Sequence, residues 1–155
     1  LNIEELDLLL EHCRHICSKA LLIKLSPDLK DSEYIKISNL CLKHSINGII
    51  LTNTMKSKDG GISGTRDLYN RSNDILKLVY KTVEGKIPLI GCGGVITPCD
   101  AYEKIKNGAS VVQIYSSFIY NGPDIIYNMN KYIDERLEKD NFENIKDCVG
   151  SNIII

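Results

Sequence analysis

The stretch "KIPLIGCGGVITPCDAYEKIKNGASVVQIYSS", residues 86–117, decides the fold. The apolar run at 87–91 predicts a buried strand. Pro98 stands where a first helical turn tolerates it, so a helix is expected over 98–107. A second apolar run follows at 110–115. A strand, a helix and another strand in succession predict a βαβ unit, in which the two strands are parallel.

The same alternation runs through the chain. Short apolar runs bounded by turn residues are typical of parallel strands covered on both faces, and they occur at 20–25, 47–52, 87–91 and 110–115. Helical patterns occur at 31–45, 68–83, 98–107 and 123–139. About four βα units make either half of a (β/α)8 TIM barrel or a small open sheet. Polar residues and glycines gather where each strand ends, which is where α/β folds bind ligands, and this favours the half-barrel. The glycine-bearing loop at 55–67 is expected to be a mobile cover over that end.

Composition limits the function. The 155 residues are 43% hydrophobic and 25% charged, with a formal net charge of -1, which suits one globular unit over 1–155. Nucleic acid is not expected as a partner, because there is no broad positive field. The six cysteines are scattered, which suggests free thiols in a reducing compartment. No run approaches the roughly 20 apolar residues that span a bilayer. Because the chain starts at Leu1 rather than Met, we expect it to be a piece of a longer protein.

The glycines after the 87–91 run suggest an anion site. Gly93 and Gly94 lack Cβ atoms, so their backbone can approach a ligand closely. The following helix is expected to point its free N–H groups at the same place, where a phosphate is the natural occupant. Tyr115 and Ser116 end the next strand and would add amides and a hydroxyl. The alternative is a tight strand-to-helix turn without a ligand.

Several motifs together resemble the dihydroorotate dehydrogenase family, and in particular the C-terminal half of its quinone-dependent class 2 branch. They are "LLIKLSPDL" (21–29), "GIILTNT" (48–54), "GGISG" (60–64), "IPLIGCGGV" (87–95) and "NGASVVQIYSS" (107–117). The resemblance covers most of the chain and implies the cofactor FMN.

The resemblance also implies site residues. FMN would be bound by Lys24, Thr52, Gly64, Gly93, Gly94, Tyr115 and Ser116, and the pyrimidine substrate by Asn53 and Thr54. Lys24 would lie at the N1/O2 edge of the flavin. Independently, an ammonium group in an apolar run costs desolvation energy unless an anion meets it. The other interpretation is a lysine that reaches solvent from the strand end.

The resemblance implies that dihydroorotate is oxidised to orotate and that a quinone then accepts the electrons. The family's base is a serine upstream of the strand that carries Lys24, so no catalytic residue is expected in this chain. The first four strands and the membrane-associated N-terminal region are also expected to be absent. For the chain alone we therefore expect weak or absent FMN binding and little or no turnover. We also expect dimerisation or aggregation unless the missing half completes the core. The full-length family is associated with the mitochondrial or bacterial inner membrane.

Other interpretations stay open. A phosphosugar isomerase or lyase barrel uses a similar glycine-rich phosphate site. A third interpretation is a degenerate, non-catalytic half-barrel that serves as a scaffold or is an unproductive gene product. "HCRHIC" (12–17) places Cys13 and Cys17 at the i, i+4 spacing of a helical metal site. These cysteines continue an apolar stripe, so ordinary helix packing is expected there and no metal site.

Overall fold

A computed structural model describes residues 2–58 and 60–153. The helices are α1 (Ile3–Ile16), α2 (Asp31–Lys43), α3 (Arg66–Val83), α4 (Pro98–Lys106), α5 (Ser116–Asn121), α6 (Asp124–Lys139) and α7 (Ile145–Cys148). The strands are β1 (Leu22–Leu25), β2 (Gly48–Leu51), β3 (Met55–Ser57), β4 (Gly60–Ile62), β5 (Leu89–Cys92) and β6 (Val111–Gln113). Both the predicted fold class and the alternation of strand and helix are confirmed.

The main sheet is parallel throughout, with the strand order β1-β2-β5-β6. Each crossover contains a helix, as parallel neighbours require. Since the strands run the same way, their C-terminal ends lie along one edge of the sheet. The sheet is half of a (β/α)8 TIM barrel, as predicted.

Two adjacent rows of side chains show that the faces of this sheet differ. Leu25, Leu51 and Gly91 lie side by side and are buried beneath the helices. One residue earlier, Lys24 lies beside Ile50, and Lys24 is exposed. The expectation that both faces are covered is therefore wrong for the described residues. The uncovered face corresponds to the interior of a closed barrel.

The core is divided into two clusters of buried residues. The larger one packs α2 and α3 against β1, β2 and β5, and includes Tyr34, Ile37, Ile49, Leu51, Ile75, Leu76 and Val79. The smaller one packs α4 against α6 and the chain end, and includes Tyr102, Ile105, Met129 and Cys148. Val112 on β6 contacts both clusters, so the last strand joins the two halves of the core.

The segment predicted as a mobile loop at 55–67 contains a two-stranded antiparallel hairpin. Met55 on β3 pairs with Ile62 on β4. Thr54, just before the hairpin, packs so close to Gly61 that a Cβ there would lie 2.5 Å from the Thr54 Oγ1 atom. The hairpin brings the loop at 63–65 back to the C-terminal edge of the sheet. Among the described residues, no helix is long and apolar enough to cross a bilayer.

Candidate anion-binding site

The three glycines of "GCGG" serve different purposes. Gly91 is buried on the helix side, where a Cβ would lie 2.9 Å from the Cδ atom of Lys104. Gly93 has φ +100°, a conformation that side chains disfavour. Gly94 has φ +68°, and a Cβ there would lie 2.5 Å from the Cβ atom of Tyr69. Gly91 therefore makes room for a lysine, while Gly93 and Gly94 shape the turn.

That turn forms one wall of a cleft of about 40 Å³. The cleft is lined by Ser63, Gly64, Cys92, Gly93, Gly94, Val95, Gln113, Ile114, Tyr115 and Ser116. Five of the residues predicted to bind the cofactor therefore lie together, on three separate loops. A cavity needs only roughly 10–15 Å³ on this measure to hold one water, so the cleft has room for a small anion.

Free backbone amides make this cleft suitable for an anion. The N–H groups of Gly94, Val95 and Ser116 have no hydrogen-bond acceptor among the described residues. Gly94 and Val95 are buried, and a buried amide without a partner costs about 1–3 kcal/mol. An anion that accepts hydrogen bonds from the Gly94 and Val95 amides would remove that cost.

Two serines connect the loops on either side of the cleft. The Ser63 Oγ and Ser116 Oγ atoms lie 2.8 Å apart, and either one can donate. A Cβ at Gly64 would lie 3.0 Å from the Ser116 Cβ atom, which explains the glycine. Ser63 was not predicted, and its position inside "GGISG" is the only signal for it in the sequence.

The N-terminus of α4 does not contribute as predicted. The Asp100 carboxylate accepts hydrogen bonds from the Ile96 and Thr97 amides, and the Thr97 Oγ1 atom accepts one from the Asp100 amide. Burial would raise the pKa of Asp100, but hydrogen bonds from Arg66 and the two amides outweigh burial and lower it. The helix start is thus occupied by its own carboxylate. The candidate donors are the amides of the two turns instead.

The residues predicted at the ends of β1 and β2 lie on the same edge of the sheet. Thr52 is 1% exposed, and its Oγ1 atom is 3.3 Å from the place a Gly93 Cβ would occupy. Asn53 and Thr54 are exposed, and the Asn53 Oδ1 atom accepts a hydrogen bond from the Thr54 amide at 2.9 Å. Lys24 is exposed on the uncovered face, so the argument from desolvation does not apply to it in this chain.

Two other features fit a site less well. An apolar groove of about 330 Å³ lies between β6, α4 and α6, but few polar groups converge there, whereas ligand sites need a few that fix orientation. In the "HCRHIC" segment, α1 ends at Ile16 and Cys17 is its C-cap. Within residues 2–58 and 60–153, no group of three or more metal-binding side chains could hold a metal ion.

Comparison with known families adds an independent result. The family profile for dihydroorotate dehydrogenase matches residues 3–137. The dihydroorotate dehydrogenase (quinone) of Nautilia profundicola is 37% identical, with 99% of this chain and 45% of the relative covered. The mitochondrial dihydroorotate dehydrogenase (quinone) of Oryza sativa subsp. japonica is 38% identical, over 85% of this chain and 30% of the relative.

A solved structure is also similar. The ligand-free DHODH crystal structure from Eimeria tenella has a TM-score of 0.78 and 33% sequence identity, and covers 85% of this chain and 39% of that one. The chain therefore spans less than half the length of each of these relatives.

Proposed function

The chain belongs to the dihydroorotate dehydrogenase family, and on that basis we propose that the whole protein oxidises dihydroorotate to orotate with FMN and passes the electrons to a quinone. Within that protein, these 155 residues bind the FMN phosphate and part of the substrate. The observation that carries the proposal is the single cleft lined by Gly64, Gly93, Gly94, Tyr115 and Ser116.

The cleft fits a phosphate group. Amides that lack an acceptor come from both turns, at Gly94 and Val95 on one side and at Ser116 on the other. The Ser63–Ser116 hydroxyl pair adds a donor that can turn towards an anion. Gly64 leaves room beside Ser116, and the positive φ angles of Gly93 and Gly94 allow the turn that forms the opposite wall. FMN bound there would supply the hydride acceptor for the substrate.

The remaining residues would place the ring system and the substrate. Thr52 would line the flavin from its buried position beside Gly93, and Lys24 would offer a cation to the flavin edge from the uncovered face. Asn53 and Thr54 present an amide and a hydroxyl at the end of β2 and would bind the pyrimidine. Since Lys24 is exposed, its ammonium group can meet an anionic ring without a prior cost of burial.

The proton acceptor, the quinone site and the membrane association are proposed to belong to segments outside these 155 residues. The uncovered face of the sheet supports this division, because apolar side chains such as Leu22 (46% exposed) and Val111 (58% exposed) are largely open to solvent there. We propose that four further strands of the natural protein cover this face and complete the barrel.

Absorbance and reduction test the proposal. The complete natural protein should be yellow as purified, with flavin bands near about 370 and 450 nm. Dihydroorotate added without oxygen should bleach the longer-wavelength band, and a quinone analogue should restore it. A colourless protein that binds only inorganic phosphate would refute the proposal and favour a phosphosugar enzyme. A protein that binds neither would favour the non-catalytic half-barrel.

A further inference from the structure

Lys104 is a buried cation behind the glycine turn. It lies on α4, and its side chain is 0% exposed. It runs past the back of β5, through the space that Gly91 leaves by having no Cβ. Lysine is almost never fully buried unless it is paired. Because Gly91 leaves space for this side chain, we infer that the positive charge of Lys104 has a function.

The contacts of Lys104 do not neutralise it. Its Nζ atom donates to the Ser72 Oγ atom at 2.7 Å and to the Asn73 Oδ1 atom at 3.0 Å. The Tyr69 ring centroid lies 5.2 Å away. No carboxylate among the described residues forms an ion pair with it. A buried ammonium group with neutral partners alone is costly, so a nearby anion would be favourable.

The groups that face Lys104 come from three elements. Tyr69 faces it from α3, and Cys92 from β5. Asp100 faces it from α4, but the carboxylate already binds Arg66 at 2.8 Å. Burial lowers the pKa of Lys104 to about 8, against the smaller opposing effects of Cys92 and Asp100.

Ser72 connects this lysine to the cleft. Its hydroxyl oxygen accepts the Lys104 hydrogen bond, and its proton can go to the Gly93 carbonyl at 3.2 Å or to the Tyr69 carbonyl at 3.0 Å. Only two hydrogen bonds therefore separate Nζ from a carbonyl in the cleft wall. Lys104 reaches the turn from behind, on the side away from the ligand.

We propose that Lys104 is a positioning residue that holds the Gly93–Gly94 turn through Ser72 and places a buried positive charge behind the anion cleft. The proposal rests on the proposed function, because the anion that completes the charge balance is the FMN phosphate. The phosphate and the ammonium group stabilise each other across the turn, without touching.

Comparing FMN with riboflavin, which lacks the phosphate, isolates this effect. The dissociation constants of both flavins are measured on the complete natural protein after its flavin has been removed. Lys104→Met keeps the length of the side chain and removes the charge. Loss of a buried charge should weaken FMN binding by about tenfold, because charges inside a protein interact at an effective dielectric constant of about 20 and so more strongly than in water. Riboflavin binding should change less than twofold. The matched control is Lys106→Met on the same helix, where Lys106 is paired with Glu103 at 3.6 Å, and it should leave both constants unchanged.

The pH dependence gives a second readout that needs no variant to fold. As the pH rises through about 8, Lys104 loses its proton, so the FMN affinity of the unmodified protein should fall relative to riboflavin. In Lys104→Met, the ratio of FMN affinity to riboflavin affinity should not depend on pH. The ratio should still fall in Cys92→Ala, which removes the thiol on β5 that acts on Lys104.

Each outcome is decisive. Equal weakening of FMN and riboflavin in Lys104→Met would mean that the lysine only supports the structure. The proposal would also be overturned if the ratio of FMN affinity to riboflavin affinity in the unmodified protein did not change with pH. If the unmodified protein binds neither flavin, the proposed function itself fails, and this inference fails with it.

Discussion

Replacing Gly94 with alanine should destabilise the protein more than any ordinary glycine substitution in a turn. The backbone there has φ +68°, which costs a residue with a Cβ about 1–2 kcal/mol. The new Cβ would also lie 2.5 Å from the Tyr69 Cβ atom and 2.6 Å from the Thr65 carbonyl oxygen. Helix α3 begins at this point, so these atoms cannot rotate aside. Overpacking of this kind costs about 1–3 kcal/mol, which gives a total loss of about 2–5 kcal/mol in the free energy of unfolding.

Gly85 provides a matched control for this substitution. Its φ is +70°, almost the same as at Gly94, but the nearest atom to the position of its Cβ is the Tyr80 hydroxyl oxygen, at 4.0 Å. Gly85→Ala should therefore show only the backbone cost of about 1–2 kcal/mol. The difference between the two variants isolates the steric overlap with α3.

Urea denaturation of the unmodified protein and both variants measures these losses. Thermal melting is a second check, because each kcal/mol lowers the Tm by roughly 2–4 °C at this size. We expect Gly94→Ala to melt well below Gly85→Ala. If the two variants lose the same stability, close packing of α3 against the turn is not what requires glycine at position 94.

Three further substitutions test the surroundings of the cleft. Without bound flavin, the free energy of unfolding should increase between pH 8 and 10.5, because the unfolded chain still binds the Lys104 proton that the folded state loses near pH 8. This part of the pH dependence should disappear in Lys104→Met. Urea titrations at each pH would measure it. Asp100→Asn should cost roughly 1–2 kcal/mol at pH 7, because it weakens the helix cap and the Arg66 ion pair. That cost should shrink as the pH falls through the lowered pKa of Asp100, since the aspartate then also becomes neutral. Ser63→Ala should weaken FMN binding several-fold while changing the free energy of unfolding by less than about 0.5 kcal/mol.

Each of these expectations has a clear contrary result. If the pH dependence of stability is the same in the unmodified protein and in Lys104→Met, the buried lysine keeps its ordinary pKa. A cost for Asp100→Asn that does not shrink anywhere below pH 3.8 would place the effect in packing rather than in charge. Unchanged FMN affinity in Ser63→Ala would remove that hydroxyl from the site.

Much of the fold follows from local patterns in the sequence. The apolar runs identify all four parallel strands, because each strand is short, continuous and followed by a turn. Thr97 and Pro98 give the start of α4 correctly, since capping chemistry acts within a few residues. The glycines at 64, 93 and 94 were predicted together from motif resemblance, and their convergence on one cleft is seen only in three dimensions.

Long-range packing explains what was missed. Nothing near Lys104 in the sequence reveals that Gly91, thirteen positions earlier, leaves room for its side chain. The role of Asp100 also depends on the folded structure, because its carboxylate closes the helix end that was expected to meet the phosphate. The hairpin of β3 and β4 was missed, because "MKS" and "GGI" are too short and too polar to show strand alternation.

The cleft draws its walls from loops that are far apart in the chain, and this has a dynamic consequence. Ser63 and Ser116 are 53 residues apart in sequence. An anion held between those loops would act as a removable cross-link, closing a long loop without a covalent bond. Its release would free both turns at once, so hydrogen–deuterium exchange at the Gly94, Val95 and Ser116 amides would slow together on binding and speed up together on release.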